Sequence, residues 1–166
     1  MRQFSRRAAT LGTVAVLAAG GAVAAVPASA QASPRTPTCT TADLRLSIGR
    51  VTGGAGSLFY PIRFRNASHH TCALRGYPGV SVLDSHGRQI GAAASRNPHP
   101  VTTVSVAPGR TVYATVRTNN RGLGAPCRAV SGYVRVYPPA SYRPVLIPYR
   151  LQVCGSFDVN PVGRTA

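Results

Sequence analysis

The stretch that decides the fold, residues 66–84, reads N-A-S-H-H-T-C-A-L-R-G-Y-P-G-V-S-V-L-D. It places Cys72 in a short apolar run, follows it with a turn at Tyr77-Pro78-Gly79, and closes with the β-like run Val80 to Leu83. Proline presets φ at the second position of a type II turn, and glycine accepts the positive φ at the third. The stretch therefore predicts two short strands joined by a tight turn, with a cysteine available to brace them.

The same kind of pattern continues on both sides of this stretch. Apolar and polar residues alternate over 43–48, 60–65, 111–118 and 133–137, as a strand with one buried face requires. Turn signals separate these runs at intervals of about ten residues, and we expect roughly eight to ten short strands. Helical periodicity is absent after the first 30 residues. The pattern predicts an all-β, antiparallel β-sandwich, with a β-barrel as the alternative.

Three local features carry more specific expectations. Pro61 lies inside an alternating run and predicts an edge strand or a bulge there, because proline lacks the backbone N–H. A turn over 84–87 predicts a hairpin whose return strand is Gln89 to Ala93. The Ala107-Pro108-Gly109-Arg110 turn lies between Val101–Val106 and Thr111–Thr118, which predicts a second hairpin.

The first 30 residues read as a secretory signal peptide. Three arginines near the N-terminus precede the apolar stretch Leu11 to Val26, and Ala28-Ser29-Ala30 offers the small residues of a cleavage site. A membrane anchor is the alternative, but this stretch is short and rich in glycine. The export route, Sec or twin-arginine, stays open. No second apolar stretch of membrane-spanning length follows. We therefore expect a protein that is secreted and is either free outside the cell or associated with the cell wall.

The remaining chain has the length of one domain. We expect a flexible lead-in over residues 31–38, which are polar and contain prolines, then a single β-sandwich domain over 39–162 and a tail over 163–166.

The charge is strongly positive. All 19 basic residues are arginine, there is no glutamate, and the acids are Asp43, Asp84 and Asp158. Removing the three arginines of the signal peptide changes the formal charge from +16 to +13. Such a charge attracts anions over a long range. The alternative is a codon bias towards arginine, which explains the lack of lysine but not the shortage of acids.

Four cysteines follow the signal peptide: Cys39, Cys72, Cys127 and Cys154. An even number in an exported chain predicts two disulfides. Of the three possible connectivities we favour Cys39–Cys72 with Cys127–Cys154, because each joins neighbouring segments. Each bond closes a loop of about 30 residues and should stabilise the fold by roughly 3.5–4 kcal/mol on the chain-entropy model. The rival interpretation, a metal site, lacks any C-x-x-C pair.

Few residues suit catalysis. Three aspartates and no glutamate offer few pairs for general acid and base work, and the consecutive residues Asp84-Ser85-His86 cannot stack into a triad. His69 and His70 with His86 or His99 are a weak metal candidate, since no acid or cysteine lies beside them in sequence. We therefore expect no enzyme activity, no metal and no cofactor.

What remains is the surface. Five arginines fall at outward positions of predicted strands, and if those strands are adjacent they form one face with Tyr113, Tyr133 and Tyr137. Guanidinium groups fork onto phosphates and carboxylates. Anionic wall polymer and lipid head groups are the favoured partners, nucleic acid is disfavoured outside the cell, and the oligomeric state is open. The candidate anion-binding residues are Arg45, Arg63, Arg65, Arg117 and Arg135.

The motif Cys72-Ala-Leu-Arg-Gly-Tyr-Pro-Gly-Val80, with Ala107-Pro108-Gly109, Val136 to Pro139 and Cys154-Gly155, resembles the actinobacterial secreted family called domain of unknown function 4232. Asn66 falls where that family often has an asparagine. The resemblance covers about Cys39 to Val162. It implies an immunoglobulin-like, disulfide-linked sandwich that is exported or associated with the wall, and it implies no reaction.

Three hypotheses for function follow. The first is a secreted, non-catalytic β-sandwich that binds an anionic ligand of the cell envelope or the extracellular space. The second is a secreted enzyme with an unrecognised site, using His69, His70 or His86. The third is a secreted protease inhibitor.

Overall fold

The computed structural model describes residues 35–122 and 124–166, where one turn of 3-10 helix (Thr41–Asp43) is followed by eleven strands. The predicted signal peptide and residues 31–34 of the predicted lead-in lie outside the described residues. In chain order the strands are β1 (Leu44–Ile48), β2 (Thr52–Gly54), β3 (Ser57–Asn66), β4 (Cys72–Arg75), β5 (Gly79–Leu83), β6 (Ser95–Arg96), β7 (Thr103–Val106), β8 (Thr111–Asn119), β9 (Tyr133–Tyr137), β10 (Val145–Pro148) and β11 (Phe157–Val159).

The strands form three sheets. The large sheet has the order β1-β3-β8-β11-β6, with β2 also paired to β3. A second sheet has the order β10-β9-β5, and β4 and β7 form a two-stranded third sheet. Every pair is antiparallel except β11 with β6. The all-β prediction with antiparallel sheets is confirmed.

The pairing of β3 with β8 is the centre of the large sheet. Their register runs without interruption from Ser57 opposite Asn119 to Arg65 opposite Thr111. Because side chains alternate between faces along a strand, every second residue of each strand points to the inner face of the sheet. The buried apolar side chains of this inner face are Tyr60, Ile62 and Phe64 on β3, and Val112, Ala114 and Val116 on β8.

The inner faces of all three sheets contribute to one hydrophobic core. Phe64 and Ile62 from the large sheet, Leu74 from the third sheet and Val136 from the second are all completely buried. Burying each such side chain contributes about 1.5–3 kcal/mol relative to leaving it in water. The sheets are therefore held together mainly by apolar packing.

Two disulfides reinforce this core. One joins Cys39 to Cys72 and the other joins Cys127 to Cys154, which is the pairing that the sequence favoured. Cys39 and Cys72 are both buried, whereas Cys127 is exposed and Cys154 is buried. The first bond attaches the N-terminal segment to β4, and the second attaches the chain before β9 to the chain before β11.

Of the two expectations for Pro61, the edge strand is wrong, because β3 lies between other strands, but an irregularity is present in the facing chain. Ile48 pairs with Ile62 and Thr52 pairs with Phe59, so residues 49–51 lie opposite only Tyr60 and Pro61, which is the one-residue mismatch of a β-bulge. The carbonyl oxygen of Pro61 accepts a hydrogen bond from the Gly49 N–H at 2.7 Å. In an antiparallel strand the N–H and C=O of one residue point towards the same neighbour. The missing N–H of Pro61 therefore faces the gap between β1 and β2, where no strand partner needs a donor.

The predicted hairpin of 101–106 with 111–118 is also wrong. β7 pairs with β4, whereas β8 pairs with β3 and β11, so the intervening turn carries the chain from one sheet to another. The turn is fixed to the end of β3, where the Gly109 N–H donates to the Asn66 carbonyl at 2.8 Å. A hairpin and a connection between two sheets can both have alternating strands and a Pro-Gly turn. The sequence therefore did not distinguish the two.

The predicted return strand from Gln89 to Ala93 is wrong in part. Gln89 forms an isolated bridge with Leu83, and the N–H groups of Ile90 and Ala94 donate to carbonyls of β5, both at 2.8 Å. The segment thus follows β5 irregularly and is not a regular strand. The turn before it is present, with the Asp84 carbonyl accepting from the Gly87 N–H at 3.2 Å.

Both ends of the predicted domain are more tightly bound than expected. The flexible lead-in does not extend to Pro37 and Thr38, because the Pro37 carbonyl accepts from the Ala73 N–H at 2.8 Å and Thr38 bridges to Ala73. At the other end Gly163, placed in the tail, exchanges two backbone hydrogen bonds with Tyr113 at 2.8 and 2.9 Å.

Asn66 connects several of these elements from a completely buried position. Its Nδ2 donates to the carbonyls of His70 and Val106, each at 2.8 Å. Its Oδ1 accepts from the N–H of Ser68 at 2.9 Å and from the Ser68 hydroxyl at 2.7 Å. The Asn66 amide therefore forms hydrogen bonds with backbone groups of the chain that follows β3 and with the last carbonyl of β7.

We predict that Asn66→Ala lowers the free energy of unfolding by about 2–4 kcal/mol, because it leaves the buried Val106 carbonyl and its neighbours without partners. Urea denaturation with intact disulfides measures this. Ser68→Ala, which removes only a part-buried hydroxyl, is the matched control and should cost about 1 kcal/mol or less. Equal losses in the two variants would contradict the role assigned to Asn66.

Candidate anion-binding surface

The outer face of the large sheet carries a group of arginines. Arg45 on β1 lies directly opposite Arg65 on β3, and Ser47 lies opposite Arg63 in the neighbouring row. Directly opposed residues of an antiparallel pair point to the same face, with Cβ atoms about 4.5–5.5 Å apart. The sheet therefore presents Arg45, Arg63 and Arg65 together, and all three are exposed.

A groove extends this group. It has a volume of about 540 Å³ and is lined by Arg50, Arg63, Tyr113 and Arg164, among others. Tyr113 lies opposite Arg63 across β3 and β8. The backbone of Tyr113 pairs with that of Gly163, and this places the next residue, Arg164, beside Tyr113 in the groove. We call this surface the arginine face, and define it as Arg45, Arg50, Arg63, Arg65, Tyr113 and Arg164.

Two glycines leave room for the arginine side chains. A Cβ atom placed on Gly49 would lie 3.4 Å from Cδ of Arg63, so the Arg63 stem packs over the Gly49 backbone. A Cβ atom on Gly109 would lie 3.8 Å from Nη2 of Arg65. The guanidinium of Arg65 therefore reaches the turn between β7 and β8, where Arg110 is exposed.

No carboxylate of the chain forms an ion pair with the arginine face. All three aspartates lie in the described ranges, and the basic side chains that contact their carboxylates are His70, Arg88 and Arg117. Like charges directly opposite each other in a sheet are destabilising. The pair Arg45–Arg65 is such an arrangement, and among the described residues no carboxylate forms an ion pair with either arginine.

Arg117 is on the same outer face but is not a free cation, so its prediction as an anion-binding residue has less support than that of Arg45, Arg63 and Arg65. It lies opposite Asp158 on β11, and its Nε and Nη2 donate to Asp158 Oδ2 at 3.0 and 2.8 Å. These hydrogen bonds, and then the charge of Asp158, raise the pKa of Arg117. Asp158 is itself a residue of β11 and only 6% exposed.

Arg135 lies on a different sheet, so the expectation of one continuous face of five arginines is wrong. Its Nε donates to Ser81 Oγ at 3.0 Å, its Nη2 donates to Gln89, and its guanidinium lies 5.7 Å from the Tyr137 ring centroid. Tyr133 and Tyr137 belong to β9 with it. The period of two assigns a residue to a face of its own strand, but it does not say which strands are neighbours.

Arg50 and Arg164 belong to the arginine face but were missed. Arg50 follows the end of β1, and Arg164 was assigned to a tail. Neither lies in an alternating run, so no periodicity marks it. The only signal in the sequence is the positive charge itself, which the other arginines share.

The other two carboxylates have local roles. Asp43 Oδ2 accepts from the hydroxyl and the backbone N–H of Thr40, each at 2.7 Å, and these bonds lower the pKa of Asp43. Asp84 Oδ1 accepts from the N–H groups of His86 and Arg88 at 2.8 and 2.9 Å. The backbone hydrogen bond from Arg88 is the main cause that lowers the pKa of Asp84.

The candidate catalytic groups do not converge. Ser85 Oγ lies 3.4 Å from His86 Nδ1, but the Asp84 carboxylate binds backbone N–H groups and the Arg88 side chain, not the imidazole. His70 Nε2 is 3.8 Å from Asp43, and His99 is next to Asn97. In residues 35–122 and 124–166, no group of three His, Cys, Asp or Glu side chains is arranged to hold a metal ion.

The same ranges contain no helix with the length and apolar character needed to cross a membrane.

The strands and the two disulfide bonds define a class of protein, the disulfide-linked all-β domains. A family model described as "Domain of unknown function (DUF4232)" matches residues 39–163. The chain belongs to this family, as the motif around Cys72 predicted. The actinobacterial origin, the secretion and the immunoglobulin-like topology stay predictions. No curated protein and no solved structure matches the chain.

We predict that the ion pair of Arg117 with Asp158 stabilises the fold by about 1–2 kcal/mol, because the Asp158 side chain is only 9% exposed and hydrogen bonds to charged groups are strong. A double-mutant cycle of Arg117→Gln and Asp158→Asn, followed by urea denaturation, measures the coupling free energy. The exposed pair Arg88–Asp84 is the matched comparison and should couple more weakly. Coupling near zero for Arg117–Asp158 would contradict the assignment.

Proposed function

We propose that this protein is an exported, non-catalytic binding module whose arginine face holds an anionic ligand of the cell envelope, with wall polymer or lipid head groups as the favoured class. The observation that carries the proposal is the juxtaposition of Arg45 and Arg65 without a carboxylate partner. Such a pair repels itself in the free protein. A bound anion removes the repulsion.

The chemistry of the arginine face supports the same ligand class. Guanidinium groups bind phosphate and carboxylate through two parallel N–H donors. Arg63 and Arg65 are two residues apart on one strand, which corresponds to about 6.7 Å along the sheet. Several anionic groups of one extended or planar ligand can therefore be bound side by side.

The proposed export is supported by two features. The N-terminal sequence has the order of a signal peptide, and all four cysteines are joined in disulfides. Disulfides form and persist in oxidising compartments outside the cytosol. The proposed ligand is found in the compartment to which such a chain is exported.

We predict that the purified protein sediments with isolated cell walls at low salt and is released as salt rises, because exposed charges are screened within about 10 Å at 0.1 M ionic strength. Each basic residue near an anionic surface contributes about 1 kcal/mol. The triple variant Arg45→Gln, Arg63→Gln, Arg65→Gln should therefore bind about a hundredfold more weakly. Sedimentation against wall concentration measures the affinity.

The control is a second triple variant with the same loss of charge at exposed arginines away from the arginine face: Arg35→Gln, Arg75→Gln and Arg143→Gln. Its affinity should fall by no more than about threefold, through net charge alone. Equal losses in the two triple variants would show that binding follows total charge and would contradict the proposal. So would a wild-type protein that stays in solution at low salt.

A further inference from the structure

A second pocket opens between the inner face of β3 and the chain over 149–154, away from the arginine face. It has a volume of about 300 Å³, at the small end of ligand pockets in proteins. Its apolar lining comes from Leu58, Tyr60 and Val130. Leu58 and Tyr60 point to the inner face of the large sheet, whereas Arg63 and Arg65 point to the outer face.

The polar lining of this pocket consists of Asn119, Arg121, Arg150 and Gln152. Both amide oxygens are already occupied. Gln152 Oε1 accepts from Arg121 Nε, and Asn119 Oδ1 accepts from Ser156 Oγ at 2.5 Å. Gln152 Nε2 donates to the Arg128 carbonyl at 2.9 Å, so the Gln152 amide connects Arg121 to the chain at Arg128.

The remaining polar groups of the pocket can all donate. Among the described contacts, neither guanidinium forms an ion pair, and no side-chain hydrogen bond uses Arg150, Asn119 Nδ2 or the Tyr60 hydroxyl. Tyr60 lines the pocket and makes an edge-to-face contact with Tyr149, at a centroid distance of 6.2 Å. A ligand that fits these groups must bring acceptors and negative charge.

We propose that this pocket binds a small molecule in which one carboxylate or phosphate monoester is joined to a compact apolar group. Arg121 and Arg150 bind the anionic end, with Asn119 Nδ2 as a neutral donor. The apolar group packs against Leu58, Val130 and the Tyr60 ring. Arg121 is oriented by Gln152, so its two terminal nitrogens remain available for the anion.

Gly155 is required for this arrangement. Its φ is +58°, and a Cβ atom there would lie 2.8 Å from Asn119 Nδ2 and 2.9 Å from the Ala125 side chain. A side chain at position 155 would therefore displace the Asn119 amide. The glycine that follows Cys154 thus keeps one donor of the pocket in place.

The proposal is tested by titrating the purified protein with phenyl phosphate and, separately, with phenylacetate. Backbone amide NMR shifts locate the site, and calorimetry gives the affinity. Shifts should be concentrated at residues 58–60, 119–121 and 150–155, and benzyl alcohol, which lacks the anion, should bind at least about tenfold more weakly. The stronger of the two anionic probes identifies the preferred head group.

Arg150→Gln should weaken binding of the stronger probe by about tenfold or more, because it removes a charged donor. Arg121→Gln is the second variant, and Arg75→Gln is the control, with an expected change below about twofold. The proposal is overturned if neither probe causes shifts up to saturating solubility, if the shifts lie on the arginine face instead, or if the three variants bind alike. Because the shifts locate the site, failure here is distinguishable from failure of the arginine face.

Discussion

Three side-chain carboxylates serve sixteen arginines in the chain that follows the predicted signal peptide, and each of the three is already engaged by partners within the fold. Asp43 binds Thr40, Asp84 binds the backbone of its own turn, and Asp158 binds Arg117. Most guanidinium groups therefore have no internal counter-ion. This constraint decides where the arginines lie, because an unpaired charge cannot be buried without a large cost in free energy.

The fold satisfies the constraint by keeping its interior apolar. β3 and β8 bury Phe64, Ile62 and Val116 on one face and place Arg63 and Arg65 on the other. The three sheets share one core, and the two disulfides attach the segments before β1 and before β9 to it. The interior thus accounts for the stability of the protein, and the positive charge is left to the exterior and to the pocket that contains Arg121 and Arg150.

The sequence predicts the faces of the strands well and their neighbours poorly. Alternation identified the buried side of β3 and β8, because burial depends only on the residue pattern of one strand. It did not show that β7 and β8, or the strands of Arg135 and Arg63, belong to different sheets. Strand pairing depends on which surfaces pack together in three dimensions, and the pattern of one strand does not contain that information. The pairing of Asp158 with Arg117 was missed for a related reason. The Phe157–Val159 strand is only three residues long, and its pairing with β8 leaves no periodic signal.

The most direct test of the account is an NMR titration of the arginine side-chain Nε–Hε signals with a short polyphosphate at low salt. The account predicts that Arg45, Arg63 and Arg65 shift first, and that Arg117, held by Asp158, shifts late. A uniform shift of all exposed arginines at the same polyphosphate concentration would contradict it, since the arginines would then act only through their number.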